Sequence, residues 1–403
     1  MRIINERLRV TELLTQEERL AIKANKKKLI IGVIREEDIN ENRVGLTPYM
    51  VDLIVNKGHE VLIQAGAGEK AHFSDKDYAE VGALIVDSKE KIFNSAEIII
   101  KINPLSEDEI NLVREGQIIF SILHIYNKKT EYFLKLMSRK ASFIAYEYIK
   151  DEYDCYPIVR SMSEIAGVTS ILIAAEYLSS VHKGKGTMLG GITGVNPTEI
   201  VIIGAGTAGE NAARTALGLG SIVKVFDNSS YRLKRLQNSI GQKIYTSIIH
   251  PVILANAIKK ADVVIGAMRL IGENPVFYVS EEMVKMMKKG SVIIDISIDQ
   301  GGCIETSQPT THSNPVFEKY GVIHYCVPNI PSRVARTASY SISNILTPYI
   351  IEIGENGSFV NFLKNKPNFC NGVYIFNGIL TNSYISKRFN INYTPINLLL
   401  SAL

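Results

Sequence analysis

The chain reads as an α/β protein of two domains, and three observations predict it. Apolar runs of strand length alternate with helical patterns from Leu29 onward, as a parallel sheet with crossover helices requires. One such run, Ile200–Ile203, leads into Gly204-Ala205-Gly206-Thr207-Ala208-Gly209 and at once into a helical pattern. A further strand signal, Ile222–Phe226, ends on Asp227, about 20 residues past the glycine turn.

Taken in order, residues 1–28 read as a helical arm. Thr15 and Glu18 have capping-box spacing, and Lys26–Lys28 sit where a helix C-terminus favours cations. Leu29–Ile34 is a strand, followed by a polar loop to Arg43. Thr47 caps a helix with Pro48 at its first position and Gly58 past its end. Strands follow at 60–64, 83–86, 98–102, 117–123 and 142–146, with a helical piece closing at Tyr78–Gly82. Met162–Ser179 is a long helix carrying the chain into a second unit. The glycine-rich link Lys183–Gly194 has two readings, a connector or a phosphate loop. Ala261–Ala267 and Ser291–Ser297 are strands with polar or glycine-bearing loops at their carboxyl ends. Thr337–Ile353 is a second crossover helix, and the tail from Phe359 packs back on the first unit.

Composition narrows the function classes. Of 403 residues, 46% are hydrophobic and 21% charged, as in an ordinary globular chain. A net charge of +4 without an arginine-rich block argues against nucleic acid as a partner. Cys155, Cys303, Cys326 and Cys370 are far apart, which suits reduced thiols in a cytoplasm and no metal framework. No run reads as long enough to span a bilayer, and the N-terminus lacks the apolar core of a signal peptide.

The glycine turn has a specific physical reading. Gly204 permits a tight turn, Gly206 leaves room for a diphosphate beside the backbone, and Gly209 lets helix and strand approach. Free N–H groups at the helix start, around Thr207 and Ala208, face the anion. Asp227 is placed to meet a ribose 2′-OH and repels a 2′-phosphate, so NAD is favoured over NADP; nearby Arg232 is the one feature pointing the other way. Ligands of open α/β sheets bind outside the carboxyl ends of the strands, which makes Met268, Arg269, Asp299, Gln300 and Asn329 rim candidates.

Four blocks then identify a family resemblance. They are Asn42–Pro48 with Gly58–Gly68, Met162-Ser163-Glu164-Ile165-Ala166-Gly167, the glycine turn, and Asp295-Ile296-Ser297-Ile298-Asp299-Gln300-Gly301-Gly302. His324–Asn329 with Arg336-Thr337-Ala338 also fits. From about Leu29 to the C-terminus the chain resembles the alanine dehydrogenases and the NAD-binding part of pyridine nucleotide transhydrogenase. The resemblance implies a Rossmann-type NAD-binding domain, here 161–336, inserted into a substrate domain formed by 29–160 and 337–403. It implies reversible conversion of L-alanine to pyruvate and ammonium with NAD, and a homo-oligomer, commonly a hexamer. By position it makes Arg43 the grip on the substrate carboxylate, His124 the catalytic histidine and Asp299 the acid beside substrate and nicotinamide. It makes Ser163, Asp227 and Asn329 cofactor contacts.

The chemistry suits these types. A guanidinium clamps a carboxylate through parallel hydrogen bonds. Water must attack the imine formed by oxidising an amine, which calls for a group titrating near neutrality, and histidine is such a group. Each residue alone has a plainer reading: His124 as a core histidine, Arg43 as a surface charge, Asp299 as a turn residue, Ser163 as a helix cap. The sequence also departs from the family pattern. Lys101 matches the first of two lysines on one strand, but Asn103 stands where the second, substrate-binding lysine is expected. Residues two apart on a strand share a face, which would aim Lys101 toward the site. Asn103 leaves open a different small amino or 2-oxo acid as substrate, or a transhydrogenase-like nucleotide-binding module.

Overall fold

A computed structural model describes residues 26–125, 128–268 and 276–403. The helical arm expected at the N-terminus lies almost wholly outside the described residues.

Eight strands form the first sheet. Six come early: β1 (Ile30–Val33), β2 (Glu60–Gln64), β3 (Leu84–Val86), β4 (Ile98–Ile100), β5 (Ile118–Ser121) and β6 (Ser142–Ala145). The second sheet has β7 (Glu199–Ile203), β8 (Ile222–Asp227), β9 (Tyr245–Ile248), β10 (Val263–Gly266), β11 (Val292–Asp295), β12 (Val316–Lys319) and β13 (Val322–Tyr325). The tail returns to the first sheet as β14 (Val373–Phe376) and β15 (Ile379–Leu380), and its Phe362 and Phe369 lie in the first core.

The orders are β15-β14-β6-β5-β4-β1-β2-β3 and β12-β13-β11-β10-β7-β8-β9. Both sheets are parallel apart from β12, β14 and β15. The strands read as continuous β-branched runs because helices cover both faces: Ile98, Ile99 and Ile100 are all fully buried, as are Ile200 to Ile203. In each sheet the strand order reverses once, between β1 and β4 and between β7 and β10. A crevice opens at such a reversal.

The helix Pro157–Leu178 joins the lobes. It starts five residues before the sequence expectation because Pro157 takes its first turn. Ile158 lies in the first core, and Ile171, Ala174 and Leu178 lie in the second. Contrary to the sequence reading, this helix is long and apolar enough to cross a membrane by length and composition alone. Part of its apolar surface goes into the two cores, while Val159, Val168 and Leu172 stay exposed. Gly167 lets it approach the helix Thr207–Gly218, since a Cβ there would lie 2.2 Å from the Ala208 carbonyl oxygen.

One local expectation needs correction. Thr47 does begin the helix Pro48–Asn56, but its side chain makes no cap; its N–H donates to Ser343 Oγ at 3.0 Å, tying the helix start to the crossover helix Ala335–Glu355. The link 183–194 is a connector and not a phosphate loop. A Cβ on Gly190 would lie 1.7 Å from the Leu219 carbonyl oxygen, and Lys185 N–H bonds Gly290 O, so the link packs at the amino ends of the strands, away from the crevice.

Gly167→Ala forces the two helices apart. We expect it to cost about 1–3 kcal/mol, the usual range for overpacking, and to weaken NAD binding; urea denaturation and a fluorescence titration measure the two.

Candidate active site

Between the lobes the loop after β1 meets the segment after β13, through contacts of Asn40, Glu41 and Asn42 with Asn329 and Ser332. In the first lobe the loops at the strand-order reversal follow β1 (residues 34–43) and β4 (residues 101–104). Arg43 is buried, and its guanidinium is already half used: Nε and Nη2 donate to Glu41 Oε1 and Oε2 at 2.7 and 2.6 Å. Among the described residues its Nη1 meets the thioether sulfur of Met162, at 3.6 Å. Burial works to raise the Glu41 carboxyl, but the Arg43 charge and hydrogen bonds outweigh it and hold Glu41 below the usual carboxylate range. Arg43, Glu41, Glu36, Arg35 and Lys70 line a cavity of about 440 Å³.

Lys101 does not line that cavity. It sits just past β4, buried, with Nζ 2.7 Å from both oxygens of Glu109 and 4.0 Å from Glu36 Oε2. The shared-face argument fails here because the strand ends at Ile100 and the chain turns. Asn103 is half-buried beside Asp38, with Nδ2 3.5 Å from Oδ2. Glu36 holds this turn: its Oε1 accepts the N–H groups of Ile102 and Asn103 at 2.6 and 3.2 Å. Burial pushes its carboxyl up to about 8, against the opposing pull of Lys101.

His124 follows β5 with a left-handed backbone, φ 47°. By surface area the residue is exposed. Desolvation first, then the Arg43 and Lys128 charges, lower its pKa, so the imidazole is neutral at pH 7 and able to accept a proton. The charges of Arg43, Glu41 and Asp38 all bear on it, which places it in the Arg43 neighbourhood.

In the second lobe the glycine turn is built as its sequence implies. Gly204 has φ 112°, and a Cβ there would lie 2.4 Å from the Ala267 carbonyl oxygen at the strand-order reversal. A Cβ on Gly209 would lie 1.8 Å from Gly204 O, while one on Gly206 would meet nothing within 4 Å. Space therefore stays open where a diphosphate would face the first N–H groups of the helix at Thr207 and Ala208. Asp227 is buried at the end of β8. Its oxygens accept the N–H of Ala205 at 2.7 Å and of Ser229 at 2.8 Å, so it clamps the turn. Arg235, not Arg232, touches the turn, its Nη2 donating to Ala205 O at 3.3 Å. Met268 is buried just past β10; Arg269 lies outside the described residues. Ser163 is half-buried one helical turn before Gly167, on the helix that Gly167 brings against Ala208.

Asp299 is exposed in the 3₁₀ turn Ile296–Gln300 that follows β11. Asp295 anchors this segment, its carboxylate accepting the N–H groups of Ser297 and Cys303, both at 3.1 Å. Burial pushes Asp295 up to about 6. Asn329 bridges the lobes, donating from Nδ2 to Glu41 Oε2 at 2.8 Å. Ser332 adds to the seam: its Oγ accepts from Asn42 N–H at 2.8 Å and donates to Asn40 O at 2.9 Å. Among the described residues no cluster of His, Cys, Asp or Glu suits a metal ion.

Sequence reasoning missed Glu36, Glu41, Glu147 and Asp295. Glu41 lies two residues before Arg43, and that spacing was the one available signal.

Two sheets, each with one strand-order reversal, one bearing a glycine turn and the other an arginine-lined cavity, define a two-lobed nucleotide-binding α/β protein. The comparisons with known proteins are specific. The model of the alanine dehydrogenase/PNT N-terminal domain matches residues 32–166, and that of the C-terminal domain residues 170–383. The chain belongs to this family. It is 41% identical over 368 residues to an alanine dehydrogenase of Methanococcus maripaludis, covering 91% of this chain and 98% of that one. It is 40% identical over 367 residues to an alanine dehydrogenase of Staphylococcus epidermidis, with the same coverage. Among solved structures, an L-alanine dehydrogenase superposes with TM-score 0.84 at 34% identity, over 90% of this chain and 99% of that one. A transhydrogenase from Sinorhizobium meliloti superposes with TM-score 0.74 at 25% identity, over 88% and 99%.

Glu36 has a pH signature. Its folded pKa lies above its unfolded value of 4.5, so the folded form binds its proton more tightly. The stability this contributes is full below pH 4.5 and is lost as pH rises through about 8. Glu36→Gln has no proton to lose there. Its thermal stability relative to wild type should therefore improve steadily from pH 5 to pH 9.

Proposed function

We infer that the chain catalyses the reversible, NAD-dependent oxidative deamination of L-alanine to pyruvate and ammonium. The observation that carries this is the match to alanine dehydrogenases over nine-tenths of the chain, joined to a glycine turn whose Gly206 opens on free space. NAD, when bound, supplies the hydride acceptor. Gly204, Gly206, Gly209 and the helix start at Thr207–Ala208 would hold its diphosphate, with Asp227, Ser163, Met268 and Asn329 around it.

The chain's own residues do the rest. Arg43 has its Nη1 edge in contact with a thioether, a weak acceptor that a substrate carboxylate readily replaces. Glu41 keeps the other edge and so sets the angle of the guanidinium. Neutral His124 takes a proton from water as the water adds to the imine carbon, and returns one to nitrogen as ammonium leaves. Asp299 orients that water and stabilises the cationic imine. We place the substrate domain at 29–160 plus 337–403 and the NAD-binding domain at 161–336. The four cysteines, free in the structure, support a reducing cytoplasmic setting. A homo-oligomer, a hexamer by family resemblance, is the assembly we expect.

Asn103 favours a second reading, in which another small amino or 2-oxo acid is preferred. A panel of L-amino acids, read by NADH formation, separates the two: silence with L-alanine and turnover with another acid would overturn the first. Within the first reading, His124→Ala should lower kcat by about 10²–10⁴, the usual worth of a general acid–base group. Asn103→Lys exchanges a neutral contact for a charged one, a gain of about 1 kcal/mol, so the KM for pyruvate should fall roughly fivefold.

A further inference from the structure

The left-handed backbone at His124 needs an account. A non-glycine residue rarely keeps a φ of 47° unless its surroundings impose it. His124 is the third residue after β5, and Glu147 is the second after β6, in the 3₁₀ turn Tyr146–Tyr148. The two strands are parallel neighbours, with Ser121 opposite Ala145, so Glu147 emerges beside the His124 segment. Its Oε1 accepts the Leu123 N–H at 2.8 Å. Its Oε2 is shut off from solvent and has no hydrogen-bond partner among the described residues. A carboxyl enclosed this way cannot exchange the Leu123 donor for water, so turning the loop over would take away the hydrogen bond it has.

We propose that Glu147 is the positioning residue for His124: it grips the backbone N–H of Leu123, the residue before the histidine, and thereby holds the His124 segment in its left-handed conformation. This rests on the reading of His124 as the proton-transferring group. Glu147 itself touches neither substrate nor cofactor. It acts through the peptide frame, so its removal should change what His124 does and little else.

A double-mutant cycle tests this. Glu147→Ala should lower kcat with L-alanine roughly 100-fold, as expected for a displaced catalytic group, with the KM for NAD unchanged. Glu147→Gln keeps an acceptor oxygen and should recover most of the loss. In a His124→Ala background, Glu147→Ala should have no further effect. Wild-type kcat in Glu147→Ala, or equal fold losses in both backgrounds, would overturn the proposal. Should Glu147→Ala not fold, Glu147→Asp, which withdraws the carboxyl by one methylene, replaces it in the same cycle. The His124 C2–H resonance reads the position without turnover: it should move in Glu147→Ala and stay put in Glu147→Gln, and an unmoved resonance in Glu147→Ala also counts against the idea. A wild type silent with every acid tested would sink the functional reading, while this resonance would still decide the positioning.

Discussion

Enclosed carboxyl groups bonded to backbone N–H groups hold together the loops that leave the carboxyl ends of the strands. Glu36 grips the turn after β4, Glu147 the segment after β5, Asp227 the glycine turn and Asp295 the segment after β11. Loops at a crevice have few apolar neighbours and cannot be fixed by packing alone. A carboxyl drawn out of water and given backbone donors is costly to disturb, because losing any donor leaves it uncompensated. The same burial raises the pKa of Glu36, Glu147 and Asp295 and so links loop geometry to pH.

The site depends on this bracing because its charges are crowded. Arg43 and Glu41 form a buried pair whose value lies less in net stability than in orientation. Glu41 also takes Asn329 from the other lobe, so one carboxylate aims the guanidinium and closes the seam. Lys101 shows the opposite outcome. Glu109 takes its charge with two short contacts, and the cation serves the scaffold of the first lobe. Asn103, half-buried beside Asp38, carries no charge of its own.

Much of the fold was legible in the sequence. β-branched runs without polar alternation announced strands buried on both faces. The glycine spacing 204, 206 and 209 announced a turn in which one glycine bends, one opens space and one admits the helix, and the observed contacts match those three roles. Helix limits were less legible: Pro157 begins the interlobe helix earlier than its apolar pattern suggests, and Thr47 gives up its cap to Ser343. Both outcomes depend on what lies across the interface, which no local pattern encodes.

The sequence by itself determined the α/β class, the two sheets, the nucleotide-type turn and the kinds of side chain available for chemistry, because backbone propensity, glycine sterics and hydrophobic period act over a few residues. The tertiary structure decided which charges are free to act. It paired Lys101 with Glu109 and Arg43 with Glu41, it made clamps of Glu36, Glu147 and Asp295, and it packed the link 183–194 at the wrong edge of the sheet for a phosphate. Those assignments come from burial and from contacts across tens to hundreds of residues, where desolvation, and not residue type, sets what a charge can do.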